Sequence, residues 1–179
     1  MIEALLWMLV IAIAFSAAYA GLSAAPWLPT KPRQRRHLID RVVLEDNDVC
    51  YDLGSGDGSV LFALTRKNPN IHAIGYEISL LPYLVSLARK ILGGKIYRGV
   101  SLRFGNLFKQ NLRDADVIFV FLLDKSYPKL LKKFRSELKN EARIYVEAWP
   151  FPGVVETEKI TEQGLLPVYV YKGSDFRDV

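Results

Sequence analysis

Residues 52–58, Asp-Leu-Gly-Ser-Gly-Asp-Gly, combine three glycines with two carboxylates between two apolar runs. Glycine weakens both strands and helices, so a cluster of this kind indicates that the backbone must approach another group closely. In parallel sheets, a glycine-rich turn after the first strand binds ligands at the carboxyl ends of the strands. The stretch therefore predicts a binding loop for a dinucleotide or for another cofactor that contains adenosine.

The two carboxylates help to distinguish between these ligands. A dinucleotide loop follows the pattern G-x-G-x-x-G/A, in which Ser59 would be the third small residue. The glycines here follow G-x-G-x-G, with Asp52 before them and Asp57 between them. Two carboxylates repel a pyrophosphate and attract a cation. A sulfonium with an amino-acid ammonium, as in S-adenosylmethionine, fits these charges, and a nicotinamide-dependent oxidoreductase is the less favoured alternative.

Two further polar residues follow the next predicted strands. Glu77 lies nineteen residues after Gly58, where an acid accepts hydrogen bonds from a ribose diol. Asn106 follows the third strand, where its side chain can hydrogen-bond an adenine edge. Alone, Glu77 is equally well explained as a surface acid, and Asn106 as a turn residue. The order of loop, acid and amide along the chain favours a cofactor site.

The elements that must position these residues alternate along the chain. Seven strands are predicted, at residues 49–53, 71–77, 100–104, 116–123, 142–148, 154–160 and 165–172. Helices are predicted at residues 59–67, from a Ser79 cap to about residue 92, and from a Ser126 cap to about residue 140. This alternation predicts βαβ units and a parallel sheet covered on both faces. No helix fits between the fifth strand and the last two, so these two strands are predicted to form an antiparallel hairpin that finishes the sheet.

The chain begins with an apolar segment that carries no charge from Ala4 to Pro29. A membrane-spanning helix needs about 20 such residues, and one span from about Ile2 to Leu22 is predicted, with Trp27 near one interface. The alternatives are a cleaved signal peptide, which Glu3 disfavours, and a buried core helix. The basic residues within 31–36 follow the segment and predict that the folded part lies on the cytosolic or equivalent interior side.

The distribution of charge and the single cysteine limit the kinds of ligand that the chain is expected to bind. The chain has 24 Lys and Arg against 19 Asp and Glu, and four of the basic residues lie within 31–36. The nearly neutral remainder argues against a nucleic-acid-binding protein. The basic run 125–139 is read as a solvated helix face, or alternatively as a face toward anionic lipid or an acidic partner. Cys50 is predicted to be a core residue, and no metal-ligand spacing is present.

These motifs resemble those of class I S-adenosylmethionine-dependent methyltransferases. Residues 52–58 resemble their first motif, 75–79 (Gly-Tyr-Glu-Ile-Ser) their acidic second-strand motif, and 105–108 (Gly-Asn-Leu-Phe) the motif after the third strand. The resemblance covers about residues 30–172. With the apolar start, residues 25–30 (Ala-Pro-Trp-Leu-Pro-Thr) and 149–153 (Trp-Pro-Phe-Pro-Gly) are similar to a narrower group of protein-lysine methyltransferases. That group includes mitochondrial enzymes that act on the ATP synthase c subunit and on the adenine nucleotide translocase, and archaeal relatives of broad protein-lysine specificity.

The resemblance implies an α/β fold, a Rossmann-like and mostly parallel methyltransferase sheet with a C-terminal antiparallel hairpin. Together with the apolar run, and with the two prolines that interrupt the basic segment 29–36, it divides the chain into a transmembrane helix (residues 1–25), a basic linker and lead-in helix (26–46), and an S-adenosylmethionine-binding methyltransferase domain (47–179). The implied activity is N-methylation of protein lysines at the membrane, with catalytic residues unassigned. The implied cofactor-binding residues are Asp52, Gly54, Ser55, Gly56, Asp57, Gly58, Glu77, Asn106 and Leu107.

A lysine acceptor must lose its proton before it can react, since its ordinary pKa is about 10.4. Burial beside a sulfonium lowers that pKa, and aromatic walls guide the ammonium in. Tyr127, Trp149 and Phe151 are predicted near the acceptor, although ordinary packing also explains them. Asp124 is either a group that orients the amine or a surface acid.

Three further expectations concern the remaining parts of the chain. Pro29 and Thr30 are expected to fold over the cofactor. Deletion of the first roughly 25 residues, about one span, is expected to leave cofactor binding intact. The alternative functions are methyl transfer to a lipid or quinone, which needs an open apolar pocket facing the bilayer, and a non-enzymatic anchored module that binds the cofactor.

Overall fold

The computed structural model describes residues 1–25 and 27–177. Pro26 and residues 178–179, which the predicted domain limits include, lie outside the described residues. The strands are β1 (Val49–Leu53), β2 (His72–Glu77), β3 (Val100–Phe104), β4 (Val117–Val120), β5 (Arg143–Glu147), β6 (Glu158–Ile160) and β7 (Val168–Lys172). The α-helices are α1 (Ile2–Ser23), α2 (Pro32–Arg41), α3 (Ser59–Lys67), α4 (Leu80–Gly93) and α5 (Tyr127–Glu137).

The strands form one seven-stranded sheet in the order β3-β2-β1-β4-β5-β7-β6. The strands β1 to β5 are parallel, and β7 runs antiparallel to both β5 and β6. The predicted parallel sheet with a terminal antiparallel hairpin is therefore confirmed. The strand order reverses between β1 and β4, and at such a switch point ligands bind outside the carboxyl ends of the strands.

Apolar side chains cover both faces of the sheet. In β1, Cys50 packs on one face with α2 and α3, and Tyr51 packs on the other with α5. Cys50 is fully buried, and burial raises the pKa of its thiol to about 12, as expected of a core residue. The residues of β4 are buried on both faces, because this strand lies at the centre of the sheet.

Helix α2 differs from its prediction. A basic linker followed by a lead-in helix was predicted within residues 26–46, yet the helix already begins at Pro32 and continues through the basic residues to Arg41. Proline fits the first turn of a helix, where its missing N–H has no acceptor to lose. The helix is held by Leu38 and Ile39, which are buried against α3.

The end of the chain packs tightly beside α5. The N–H of Gly173 donates to the carbonyl oxygen of Ala142 at 2.8 Å. A side chain at residue 173 would overlap the carbonyl oxygen of Lys139. This contact joins the end of β7 to the turn that precedes β5.

The apolar helix α1 is exposed along most of its length. Residues 1–12 are exposed throughout, and in the second half Phe15, Tyr19 and Leu22 are exposed while Ala20 and the following Ala24 are buried against the rest of the protein. The N–H of Leu80 donates to Ser16 Oγ at 3.0 Å, and the Lys125 ammonium donates to the carbonyl oxygen of Gly21. The helix is long and apolar enough to cross a membrane. Its most apolar stretch of 18 residues has a mean hydropathy of 2.2, and only 6% of that stretch is buried. The alternative of a buried core helix is therefore wrong.

Candidate functional site

The glycine loop lies at the switch point of the sheet, between β1 and α3. Gly54 and Gly56 have positive φ angles of 90° and 53°, which let the backbone turn sharply. The N–H groups of Gly54 and Ser55 both donate to the carbonyl oxygen of Tyr76 at 3.0 Å, so the loop is fixed over the end of β2. A cleft with about 1150 Å³ of space, including its open mouth, begins at this loop.

The cleft brings together all of the predicted binding residues except Gly58. The predicted residues that line it are Asp52, Gly54, Ser55, Gly56, Asp57, Glu77, Asn106 and Leu107. Gly58 lies behind the loop and begins α3 with a φ of 73°, and a side chain there would meet Phe62. Its role is to shape the loop from outside the cleft.

Glu77 ties the glycine loop to β2. Its Oε2 accepts from the N–H of Gly56 at 2.8 Å, and its Oε1 accepts from the N–H groups of Ile78 and Ser79 at 2.9 and 2.7 Å. A carboxylate offers about four lone-pair positions, so one more donor can be accepted. A ribose hydroxyl is such a donor, and Glu77 is buried at the cleft rather than a surface acid.

Asp57 has a partner that the sequence did not suggest. Arg89, on α4, donates to Asp57 Oδ2 at 2.6 Å, and the N–H of Ser59 donates to Asp57 Oδ1 at 3.1 Å. Arg89 and Asp57 are 32 positions apart, and no local spacing connects them. Because Arg89 neutralises part of this charge, the attraction of the loop for a cation depends more on Asp52 than the sequence indicated.

Asp52 is buried in the floor of the cleft. Burial raises the pKa of its carboxyl group to about 8, and the nearby carboxylates of Glu77, Glu147 and Asp57 contribute to that rise. A cationic ligand would favour its ionised form, whereas a pyrophosphate would add repulsion. The residues of this cleft therefore fit the sulfonium and ammonium of S-adenosylmethionine.

The predicted adenine side of the cleft is formed by Asn106 and Leu107. Asn106 Oδ1 accepts from the N–H of Phe108 at 2.9 Å and caps a short 3₁₀ helix, as a turn residue does. Its Nδ2 lies 3.5 Å from the hydroxyl of Tyr19 in α1. Leu107 is buried and adds an apolar wall. From the sequence, Asn106 could be a turn residue or a residue of the cofactor site. In the structure it caps a turn and also lines the cleft.

The end of α1 and the segment after it form another wall. The residues that line the cleft here are Ala20, Ser23, Ala24, Ala25, Trp27, Leu28, Pro29 and Thr30. Pro29 and Thr30, which are expected to fold over the cofactor, thus line the cleft. The contribution of Ala20 to Ala25 was missed, because alanines in a long apolar run have no feature that separates a cleft wall from a lipid-facing surface.

The aromatic residues near the acceptor side are only partly as predicted. Trp149 lines the cleft. Tyr127 and Phe151 are instead buried in the core, with ring centroids 4.3 Å apart, and the Tyr127 hydroxyl donates to the carbonyl oxygen of Trp149 at 2.9 Å. Asp124 is exposed and does not line the cleft. For Tyr127 and Phe151 the structure therefore supports the alternative of ordinary packing, and Trp149 alone of the three lines the cleft.

The basic run 125–139 is tied into the fold at several points. The Lys133 ammonium is buried and lies 2.8 Å from Glu137 Oε1, and Lys139 lies 2.6 Å from Asp116 Oδ1. The run is therefore more than a solvated face, and Lys125 is the member that contacts α1.

We expect Gly56→Ala to weaken the binding of S-adenosylhomocysteine about tenfold or more, an effect equivalent to about 1.4 kcal/mol. The added methyl group would lie 2.9 Å from the ring of Trp27 and displace that wall. The matched control is Gly164→Ala, because Gly164 also has a positive φ, of 77°, but has open space around it. In both variants the alanine must adopt a positive φ angle, which is expected to lower the free energy of unfolding by about 1–2 kcal/mol. Equal affinities in calorimetry would contradict the assignment of Trp27 to the wall.

Comparison with known proteins gives a consistent set of relatives. A family model described as "ANTKMT methyltransferase domain" matches residues 52–158. The chain is 26% identical over 155 residues to a Xenopus laevis lysine N-methyltransferase of the ATP synthase c-subunit, covering 86% of this chain and 66% of the relative. It is 29% identical over 149 residues to a protein-lysine N-methyltransferase of Saccharolobus islandicus, covering 82% of this chain and 92% of the relative. The chain thus spans just under two thirds of the vertebrate relative and most of the archaeal one.

A solved structure shows the same fold. An RNA methyltransferase from Salinibacter ruber, in complex with S-adenosyl-L-homocysteine, superposes with a TM-score of 0.75 and 22% identity. The match covers 81% of this chain and 93% of that one. At this identity the likeness concerns the arrangement of helices and strands.

Proposed function

Because the chain belongs to the ANTKMT methyltransferase domain family, we propose that it uses S-adenosylmethionine to methylate lysine side chains of proteins at a membrane. The observation that carries the proposal is the cleft at the β1–β4 switch point, where a glycine loop lies beside the buried carboxyl group of Asp52. The proposal of lysine as the acceptor rests on the vertebrate and archaeal relatives, which are named as lysine N-methyltransferases.

The residues of the cleft would each have a distinct role. S-adenosylmethionine supplies, when bound, a methyl group that its sulfonium has already activated. Asp52 would face the positive end of the cofactor, Glu77 would accept a hydrogen bond from the ribose, and Leu107 would pack against the adenine. Trp27 and its neighbours would exclude water from the cleft, which strengthens the electrostatic attractions inside it.

The position of α1 supports a location at the membrane. Its contacts with Leu80 and Lys125 would be lost if the helix were removed as a signal peptide. The stretch from Ile2 to Ala12, in which every residue is exposed, has 11 residues, about 17 Å at 1.5 Å per residue, whereas a bilayer core is about 30 Å thick. Exposed side chains continue beyond it at Phe15, Tyr19 and Leu22. A span would therefore have to include the half of α1 that packs beside the cleft.

The rim of the cleft has the composition that such an arrangement requires. Three apolar side chains that line the cleft are also exposed: Trp27 and Leu28, on the segment after α1, and Trp149, after the carboxyl end of β5. Aromatic residues of this kind favour the lipid–water interface. We infer that the mouth of the cleft lies at that interface, where lysines of membrane proteins can enter.

The proposed function is tested by incubating the purified full-length chain and labelled S-adenosylmethionine with separate membrane and cytosolic fractions. We expect label in membrane proteins, with methylated lysine recovered after hydrolysis, and none with Asp52→Ala. Label confined to the lipid extract would instead establish the lipid or quinone acceptor. Binding of S-adenosylhomocysteine without any labelled product would favour the non-enzymatic module.

A further inference from the structure

Glu147 is a buried carboxyl group that the cofactor site does not use. It is the last residue of β5, it is 3% exposed, and it lines the cleft. Its Oε1 has no hydrogen-bond partner among residues 1–25 and 27–177. The amide of Gln34 donates to the carbonyl oxygen of Leu166 at 3.0 Å and accepts from the N–H of Leu166 at 2.8 Å. Its second amide hydrogen interacts with the Glu147 carboxylate and lowers the pKa of Glu147, but it leaves Oε1 without a partner. A buried unpaired carboxyl oxygen is costly, which indicates that this atom has a partner in the working protein.

The register of the sheet places Glu147 away from the cofactor residues but inside the same cleft. Asp52 on β1 is paired with Phe119 on β4, and Phe119 is paired with Tyr145 on β5. Glu147 is two residues beyond Tyr145, so it lies on the same face of the sheet and closer to the mouth. Since neighbouring strands are about 4.8 Å apart, β5 lies roughly 10 Å from β1. Glu147 is therefore on the side of the cleft opposite β2 and β3, which carry Glu77 and precede Asn106.

The surroundings of Glu147 suit a cation that enters from outside. Among the described residues no salt bridge involves Glu147: His37 on α2 is paired with Glu162 at 3.0 Å, and Arg143 at the start of β5 with Asp48 at 2.7 Å. Its face of the sheet also carries the titratable groups Cys50, Asp52, Glu77, Arg143 and Tyr145, and the cation among these, Arg143, is the one paired with Asp48. The next residue, Ala148, has an unfavourable φ of 78° and turns the chain so that Trp149 reaches the cleft. An aromatic ring and a carboxylate together recognise an ammonium group.

We propose that Glu147 is the subsite for the ammonium group of the acceptor lysine and that its Oε1 takes up the proton which that ammonium must lose. The proposal rests on the lysine acceptor proposed above. In this step an N–H bond of the ammonium breaks and an O–H bond forms at Glu147. The electron pair of the broken bond stays on nitrogen as the lone pair that methyl transfer needs. Charge is conserved, because the ammonium and the carboxylate both become neutral.

Burial supports this role. It raises the pKa of Glu147 to about 7, although Gln34 opposes the shift. The carboxylate is thus a stronger base than an exposed glutamate and still ionised in part at neutral pH. Below that pKa the group is protonated and cannot accept another proton, so the reaction rate is expected to fall on the acid side.

The first test compares Glu147→Gln with the full-length wild type in detergent. Glutamine keeps the shape and removes the charge, so we expect the affinity for S-adenosylhomocysteine to stay within about twofold, which also shows that the variant is folded. With poly-L-lysine as acceptor, kcat/KM should fall at least tenfold and the acid limb of its pH profile near pH 7 should disappear. Glu147→Asp should restore part of the rate. The matched control is Glu141→Gln, an exposed glutamate at the other end of β5, which should behave as the wild type.

Two results would overturn the proposal. One is an unchanged kcat/KM and pH profile in Glu147→Gln. The other is a loss of S-adenosylhomocysteine affinity in Glu147→Gln as large as in Asp52→Asn, which would place Glu147 in the cofactor site.

A binding measurement separates this proposal from the lysine-acceptor function itself. n-Butylammonium, an analogue of the lysine side chain, is titrated into the protein saturated with S-adenosylhomocysteine while tryptophan fluorescence is followed. We expect a saturable change in the wild type, because Trp149 is two residues from Glu147, and none in Glu147→Gln. A wild type that binds n-butylammonium but labels no protein lysine would refute the proposed function alone. A wild type that labels lysine but binds n-butylammonium no better than Glu147→Gln would refute the Glu147 subsite alone.

Discussion

Asp52→Asn is expected to stabilise the empty protein and, at the same time, to weaken the binding of S-adenosylmethionine about 100-fold, equivalent to about 2.7 kcal/mol. The first effect arises because the carboxyl group is buried beside other acids, which raises its pKa from 3.8 to about 8. Asparagine has nearly the same shape and no charge to bury. The second effect arises because the negative charge that would face the cofactor is lost.

The sign of the stability effect depends on pH. Between about pH 4 and pH 8 the folded protein keeps a proton on Asp52 that the unfolded chain has released. The folded state therefore binds more protons, and the free energy of unfolding falls as pH rises through this range. Above about pH 8 the full cost of the buried charge is present. The variant lacks this dependence, so its advantage in melting temperature should grow from pH 4 to pH 8.

Two measurements check this prediction. Thermal unfolding without ligand at pH 5 and pH 8 gives the stability difference, and calorimetric titration with S-adenosylmethionine gives the affinity. The wild-type affinity should rise between pH 6 and pH 8, since a cationic ligand favours the ionised carboxylate, and the part of that rise due to Asp52 should be absent in the variant. A variant that melts earlier at pH 8 and binds S-adenosylmethionine normally would show that Asp52 has a purely structural role.

Deletion of residues 1–25 is expected to reduce the affinity for S-adenosylhomocysteine at least tenfold, about 1.4 kcal/mol or more. This differs from the expectation drawn from the sequence, because Ala20, Ala24 and Ala25 line the cleft. Their removal would also leave Trp27 without the helix that holds it, and water would enter beside Asn106, whose amide lies near Tyr19. The effect is measured by calorimetry on the shortened and full-length chains.

Deletion of residues 1–12 alone is the matched control, because their side chains are exposed and contribute nothing to the cleft. We expect this shorter deletion to keep the affinity within about twofold and to reduce flotation with vesicles of phosphatidylcholine and cardiolipin. If both deletions bound S-adenosylhomocysteine as the full chain does, the packed half of α1 would be a membrane anchor only. If neither deletion changed flotation, the apolar rim of the cleft would be sufficient for attachment.

The sheet and the glycine loop could be predicted from sequence because their signals are local. The strand at residues 49–53, the loop after it and the acid at residue 77 follow from apolar runs, glycine spacing and a strand end. Their meeting in one cleft follows from a general property of parallel sheets, whose carboxyl ends share an edge. Asp52 and Glu77 were therefore placed correctly without knowledge of any contact.

The remaining parts of the site depend on contacts between distant segments. Arg89 reaches Asp57 only because α4 packs beside the loop, and no spacing in the sequence encodes that approach. Tyr127 and Phe151 follow strand ends, as Trp149 does, but the positive φ of Ala148 sends Trp149 to the cleft and Phe151 to the core. Glu147 was missed because a carboxylate at the end of an apolar strand has the same local signature whether it faces solvent or a closed cleft.

The contact between Gly173 and the carbonyl oxygen of Lys139 bears on how substitutions across this fold should be interpreted. Intolerance to every side chain at residue 173 would come from backbone that cannot retreat, at the opposite end of the sheet from Asp52. A glycine that is invariant among relatives would, at this position, record the tight junction between the last strand and the turn before β5. A glycine that tolerates no side chain can thus serve either the cleft, as Gly56 does beside Trp27, or the packing of backbone far from the cleft, as Gly173 does.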